Sequence, residues 1–339
     1  EGRFYFPPVH PTSAEGLLDA IHVEEIVAYI QRGNTIHIDA ILICCGLGGR
    51  LAAAAGTIVG EVRKSFIEPV FAVATLPCIR EGERCAAAAA EDLDRLQGIT
   101  DAVILFDNEV HYARIQSGKG GSDEGAPAGG RNLRLDPHSA YDLLNERISR
   151  QIGLLLRAGE FTGDGKDVAE VVLDTGEVLN TLRGSGLVAV GYASEPLPRS
   201  IPGLLDRFRP SSRTIESNQK KAQRMVALAK RAVYEEMSVA CDLTSAGKAL
   251  VLIAGPSDEL SMRGFQTIRK WIDRSIAGLE MRSGDYPLRD TRFVGVVIVL
   301  SGLTNIPRVG EIRAIRARYR QAQAPPPPEA PVAETVPQG

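Results

Sequence analysis

Aromatic side chains are scarce in this sequence: they make up 5% of its 339 residues, with a single Trp, Trp271. A surface that stacks successive nucleic-acid bases on rings is therefore excluded as a main theme. Charge of one sign is missing too. The formal net charge is -3, so the chain as a whole attracts neither nucleic acid nor an anionic membrane. No apolar run approaches the roughly 20 residues that cross a bilayer. The usual metal spacings are absent: five His and five Cys give no Cys-x-x-Cys pair and no ligand set. Cys44, Cys45, Cys78, Cys85 and Cys241 are odd in number and lie in apolar or helical surroundings. They read as reduced core thiols of a cytosolic protein. An initiator Met is also lacking; the chain opens on Glu1-Gly2-Arg3-Phe4, as a trimmed chain or a fragment does.

What the chain has is alternation. Ile38–Cys45, Pro69–Leu76 and Asp101–Phe106 are apolar runs of strand length, separated by helical segments at Ala52–Lys64 and Glu83–Gln97. Strand and helix in turn imply a parallel sheet covered by helices. Ligands of such sheets sit beyond the carboxyl ends of the strands. The turns at Gly46–Gly49, Pro77–Gly82 and Asp107–Glu109 all fall on that edge. A loop rich in Gly, Ser and Pro spans Gln116–Gly130. A long helix follows over about Pro137–Ala158, with Asp136 as N-cap. Helix Val168–Arg183 then leads into a strand at Gly186–Tyr192.

The second half carries a basic helix at Thr214–Met237, strands at Ala249–Ala254, Gly278–Arg282 and Phe293–Leu300, and an amphipathic helix at Leu260–Arg274. This is an α+β domain of mixed connectivity. The expected division is a first domain over 1–158 with its central helix at 137–158, a second over 159–320, and a disordered Pro-rich tail over 321–339.

Gly46-Leu47-Gly48-Gly49 closes a strand and opens a helix. Amides at such a helix start bind phosphate, and glycine permits close approach. The same residues also make a plain tight turn. A dinucleotide fingerprint would need a third glycine where Leu51 stands, and a P-loop would need Gly-Lys-Ser/Thr.

The stretches DAILICCGLGG, EPVFAVATLPCIREG and DAVILFDNEV follow one another at the spacing of the FtsZ/CetZ nucleotide domain. YDLLNERI resembles the start of that family's central helix, and VVLDTGEVLNTLRGSGLVAVGYASEP its catalytic loop with the following helix and strand. ALVLIAGPSDELSMRGFQTIRKWID, GDYP and VVIVLSGLTNIPR resemble the CetZ C-terminal domain. The chain thus resembles the tubulin/FtsZ superfamily, nearest its archaeal CetZ branch, over about Asp39–Arg308. The resemblance implies an α/β, Rossmann-like GTPase domain shortened at its N-terminus, a long central helix, and an α+β C-terminal domain with a mixed sheet. It further implies GTP or GDP with Mg²⁺, and self-association into protofilaments. Co-assembly with another tubulin/FtsZ-like subunit is a further implication.

Site residues are implied in the same way. Gly46, Gly48, Gly49 and Arg50 match the phosphate loop, and Glu81 and Asn108 match positions near the ribose. Tyr141 and Asn145 match the guanine contacts, four apart on one helix face. Without the resemblance, an amphipathic helix with one inward Tyr explains that pair. Asp174 and Glu177 match the two acids that one subunit inserts against the nucleotide of the next, where positioning and electrostatics carry phosphoryl transfer. Acids at a helix start are also favoured by its dipole.

Two departures stand out. Where the family has Gly-Gly-Gly-Thr-Gly-Thr-Gly, this chain has Gly48-Gly49-Arg50-Leu51-Ala52-Ala53-Ala54, without the hydroxyls. On the order of 60 residues, about two βα units, are not found before Gly46. That leaves an apolar sheet edge to be covered by a partner, by Phe4–Pro8, or by a missing part of the chain. Two functions remain open: a GTP-binding filament protein hydrolysing GTP between subunits, or a structural subunit or adaptor that binds no nucleotide. An oxidoreductase lacks its fingerprint, since Glu68 precedes the strand it would have to close.

Overall fold

A computed structural model describes residues 14–32, 38–116, 137–157, 173–184, 186–197, 212–288 and 291–323. Its centre is a seven-stranded sheet: β1 (Ile41–Gly46), β2 (Val70–Leu76), β3 (Ala102–Asp107), β4 (Gly186–Pro196), β5 (Lys248–Gly255), β6 (Glu280–Pro287) and β7 (Phe293–Ser301), in the order β1-β2-β3-β4-β7-β5-β6. β1 to β4 run parallel. β7 lies antiparallel between β4 and β5, and β6 runs parallel to β5. The α/β first half and mixed second half follow the sequence reading. The strands of the two halves nevertheless form one sheet, because β3 and β4 pair at Ala102 to Gly186, Val103 to Leu187 and Ile104 to Val188.

The helices are α1 (Ala14–Ile21), α2 (Val23–Arg32), α3 (Arg50–Ser65), α4 (Glu83–Ile99), α5 (Asn108–Gln116), α6 (Pro137–Arg157), α7 (Thr175–Leu182), α8 (Ser212–Tyr234), α9 (Met262–Asp273) and α10 (Pro307–Gln323). Alanines let α3 and α4 approach each other and the sheet. Ala52, Ala55, Ala89 and Ala90 are fully buried in a core shared with α8 and α9. The opposite face packs Phe71, Ile104, Val190 and Val299 against Ile152 and Leu155 of α6 and Val178 and Leu182 of α7. On the α8 face, Gly191 of β4 is required by the close approach of the helix: a Cβ there would lie 2.3 Å from the carbonyl oxygen of Ala232 in α8.

Among the described residues β1 is the sheet edge and pairs with β2 alone. Its Ile41, Leu42 and Ile43 are half-buried and Cys44 is exposed. Helices α1 and α2, which the sequence reading did not anticipate, lie on α3 instead. Leu17, Leu18, Val23 and Ile26 meet Ala54 and Ile58, and Val27 and Ile30 meet Val59 and Val62. Among the described residues no strand lies beyond β1; Phe4–Pro8, one of the expected covers of that edge, lies outside the described residues, as does Gln116–Gly130 apart from Gln116.

Three corrections concern local structure. Asp107–Glu109 is not a turn; Asn108 opens α5, because Asp107 Oδ1 accepts the Glu109 N–H at 3.0 Å. α7 begins at Thr175, where Asp174 caps it. Residues 321–323, assigned to the tail, belong to α10. That helix docks on α4 through Arg313 and Arg316, each 2.6 Å from Asp94, and Arg320, 2.7 Å from Glu91. Among the described residues no helix is long and apolar enough to cross a membrane.

Candidate functional site

The carboxyl edge of β1 to β3 carries two of the expected groups. At the glycine turn, Leu47 is buried, its N–H donating to Thr75 O at 2.9 Å, and Gly49 N–H donates to Gly46 O at 3.2 Å. Gly48 has φ +81. Its N–H is committed to Asp92 Oδ2 at 2.9 Å. Asp92 is itself buried in α4, and Arg95 bridges its other oxygen to Ala53 O, both at 3.1 Å. This carboxylate pins the turn to α4 and uses an amide that a phosphate would need. Burial pushes the Asp92 carboxyl up, with the Gly48 amide and Arg95 opposing. Arg50 is exposed at the start of α3, and Gly49 caps the helix without a side-chain bond. Leu51 and Ala53 are exposed where hydroxyls were expected, while Ala52 and Ala54 are packed inside.

A second cluster gathers the turn after β2, α5 and the start of α6. A single 3₁₀ turn spans Ile79–Glu81. Glu81 Oε1 accepts the Cys78 N–H at 2.7 Å and the Tyr141 hydroxyl at 2.8 Å. Glu81 is therefore in a one-turn helix rather than a loose loop, and it meets the ring carried over as a base contact. Arg80, which the sequence reading passed over, lies between two tyrosines. Its guanidinium is 4.0 Å from the ring centre of Tyr112 and 5.3 Å from that of Tyr141. It also donates to the Tyr112 hydroxyl at 2.6 Å. Burial raises the Tyr141 phenol, with Arg80 opposing, so it is a hydroxyl donor at neutral pH. Ile79 N–H donates to Glu109 Oε2 at 2.8 Å and ties the turn to α5. Asn108, at the head of that helix, is buried, whereas Asn145, one turn beyond Tyr141, is exposed. Arg308 fastens the edge from behind, donating to Pro77 O at 3.0 Å beside the buried Asp107.

The two acids lie elsewhere. Asp174 Oδ1 accepts the Glu177 N–H at 2.7 Å, a helix cap of about 1 kcal/mol. Glu177 reaches Arg282 of β6 at 3.3 Å, a half-exposed pair worth about 0–1 kcal/mol. β6 and β1 are opposite edges of the sheet. Six strand spacings of about 4.8 Å separate them, on the order of 29 Å. Within one chain, therefore, the acids and the glycine turn do not meet. Arg282 and Asp92 could not have been found by motif, since each acts on a residue distant in sequence. No group of three or more His, Cys, Asp or Glu side chains able to hold a metal occurs among the described residues.

Comparison with known proteins places this geometry. The family model described as "Tubulin-like CetZ, C-terminal domain" matches residues 136–318, more than half of the chain. Tubulin-like protein CetZ3 of Haloferax volcanii is 32% identical over 294 residues, covering 86% of this chain and 70% of the relative. Among solved structures, the CetZ2 protofilament of Haloferax volcanii with bound GTPγS superposes with a TM-score of 0.72 at 25% identity, covering 93% of this chain and 81% of that one. The GDP-bound CetZ1 monomer of the same organism gives 0.70 at 25% identity, covering 91% and 78%. With a matching family model and such a relative along most of both chains, this chain belongs to the tubulin-like CetZ family of the tubulin/FtsZ superfamily.

Proposed function

We propose that the chain is a cytoskeletal filament subunit that stacks head to tail. It seats a guanine nucleotide by base and ribose at Tyr141, Asn145, Glu81 and Asn108. It offers Asp174 and Glu177 to the nucleotide of the next subunit, where GTP is hydrolysed. The observation that carries this reading is the separation of the acids from the glycine turn across the whole sheet. Acids so placed can act on a nucleotide only if it belongs to another subunit. The CetZ2 structure, a GTPγS-bound protofilament, supports the same arrangement here. The domain division proposed is 1–158 and 159–320, with Mg²⁺ arriving alongside the nucleotide.

Tyr141 and Glu81, which meet at 2.8 Å, support the base and ribose part of this reading; the phosphate end departs from what it needs. Gly48 N–H is taken by Asp92, and Leu51 and Ala53 bring no hydroxyl. That observation favours a second reading, a structural subunit or adaptor that binds no nucleotide and completes the site of a co-assembled tubulin/FtsZ-like partner. Anisotropy of fluorescently labelled GTP separates the two. Saturable binding displaced by GTP and not by ATP supports the first reading. Absence of binding, with co-sedimentation alongside a nucleotide-bearing partner, supports the second.

A further inference from the structure

A cavity of about 470 Å³ lies away from all of these residues, between α5, the end of α8, the segment 237–244 and the end of α9. Neither the guanine contacts nor the acids line it. Its size is that of a small-molecule site, for which roughly 300–1,000 Å³ is usual. Val110 and Met237 form apolar wall, and Tyr234, largely exposed, stands at the cavity with its ring 5.8 Å from that of Trp271. An exposed aromatic ring beside an apolar hollow is costly to leave in water and useful to a flat or branched ligand.

Charged groups of both signs stand at the cavity. Arg114 and Arg274 line it, against one carboxylate, Asp242. That carboxylate is already engaged: Oδ1 accepts the Thr244 N–H at 2.9 Å and its hydroxyl at 2.7 Å, and Oδ2 accepts from Asn305 at 3.3 Å. Those donors hold the Asp242 carboxyl below the usual range. Arg114 also pairs with Glu236 at 3.3 Å, which fixes its guanidinium at the wall. Cys241 adds no charge, since burial pushes its thiol up to about 12. The lining thus offers apolar surface, one aromatic ring and the Arg274 guanidinium, which has no acidic partner among the described residues, whereas Arg114 is held by Glu236 and Asp242 stays ionised. From this arrangement we infer that the cavity is a binding site for an amphipathic organic anion, an aromatic or branched apolar body bearing one acidic group.

The test uses the full chain and the dye anilinonaphthalene sulfonate, which has that chemistry. Trp271 is the only Trp in the chain and lies beside Tyr234, so energy transfer from it reports binding at this place. Saturable binding of one dye per chain is expected, with transfer from Trp271. Arg274→Glu should weaken it at least about tenfold, the scale of a lost charge-assisted contact. Ala240→Phe, which fills the cavity from an exposed position, should abolish it without moving the thermal midpoint. The uncharged analogue phenylnaphthylamine should bind much more weakly than the sulfonate. Binding of several dyes per chain, no transfer from Trp271, or affinity within about twofold of wild type in both variants overturns the assignment.

Discussion

Alanine at position 48 should cost the protein about 3 kcal/mol. Gly48 has φ +81, where a side chain costs about 1–2 kcal/mol. A Cβ there would lie 2.8 Å from Cys85 Sγ and 2.7 Å from the Cys85 carbonyl oxygen. The sulfur can rotate away. The carbonyl cannot, because it belongs to the first turn of α4. Relief requires the turn to lift, which breaks the bond from Gly48 to Asp92. Asp92 is 4% exposed, and a hydrogen bond to such a charged acceptor is worth about 1.5–3 kcal/mol. Lifting the turn avoids part of the backbone strain, so the two costs do not simply add. Asp92→Asn keeps an acceptor oxygen and should cost about 1 kcal/mol or less. Urea unfolding followed by circular dichroism measures both through the shift in midpoint at constant slope. If Gly48→Ala lies within about 0.5 kcal/mol of wild type, the turn is not pinned as described. If Asp92→Asn costs as much as Gly48→Ala, the steric part of the reasoning is wrong.

The remaining predictions address the two ends of the site and the C-terminal helix. Glu177→Gln should lower GTP turnover of a co-assembled, nucleotide-bearing subunit by at least about a hundredfold while leaving assembly intact; unchanged turnover in a phosphate-release assay removes the acid from the mechanism. Arg80→Ala should weaken GDP about two- to fivefold, the worth of an exposed cation–π contact that steadies the Tyr141 ring, and Tyr141→Ala should weaken it further. An Arg80 variant binding as wild type, beside a weakened Tyr141 variant, would restrict base recognition to Tyr141. For the α4–α10 contact, burial raises the Asp94 carboxyl, but Arg316 and Arg313 outweigh it and leave it below its ordinary value. Its stabilising contribution is therefore complete above the unfolded-state value of about 3.9 and is lost as pH falls through the lower folded one. The urea midpoint should drop over that acidic range, and Asp94→Asn should flatten the drop.

The first three strands were legible because each is an apolar run of strand length between turns; β2 and β3 are buried on both faces, while β1, read as buried, is half-buried at the sheet edge. α10 was not legible. Its sequence, Pro307–Gln323, offers only Val309, Ile312 and Ile315 to the core, and its other anchors are arginines whose acids lie on α4. Periodicity cannot reveal a helix held by partners over 200 residues away. The same limit applied to the site. Tyr141 and Asn145 could be set on one helix face, and Asp174 and Glu177 at one helix start, because those relations are local. The Asp92 carboxylate under the glycine turn and the Arg80 guanidinium between two rings are relations between elements, and only the fold displays them. The single continuous sheet was missed for a similar reason: three residue pairs at the start of β4 leave no mark on composition.

Local physics explains one of the two acids and leaves the other unexplained. Asp174 is the N-cap of α7, and a helix beginning at Thr175 has use for that carboxylate whatever the protein does. Glu177 contributes its backbone N–H to the same cap, which any residue but proline would do. Its side chain makes only the half-exposed pair with Arg282, a contact cheap enough to exchange for a ligand on a neighbouring subunit. Folding therefore has little claim on the Glu177 carboxylate. A substitution there tests function almost free of stability, whereas one at Asp174 confounds the two, and for that reason the turnover experiment belongs at Glu177.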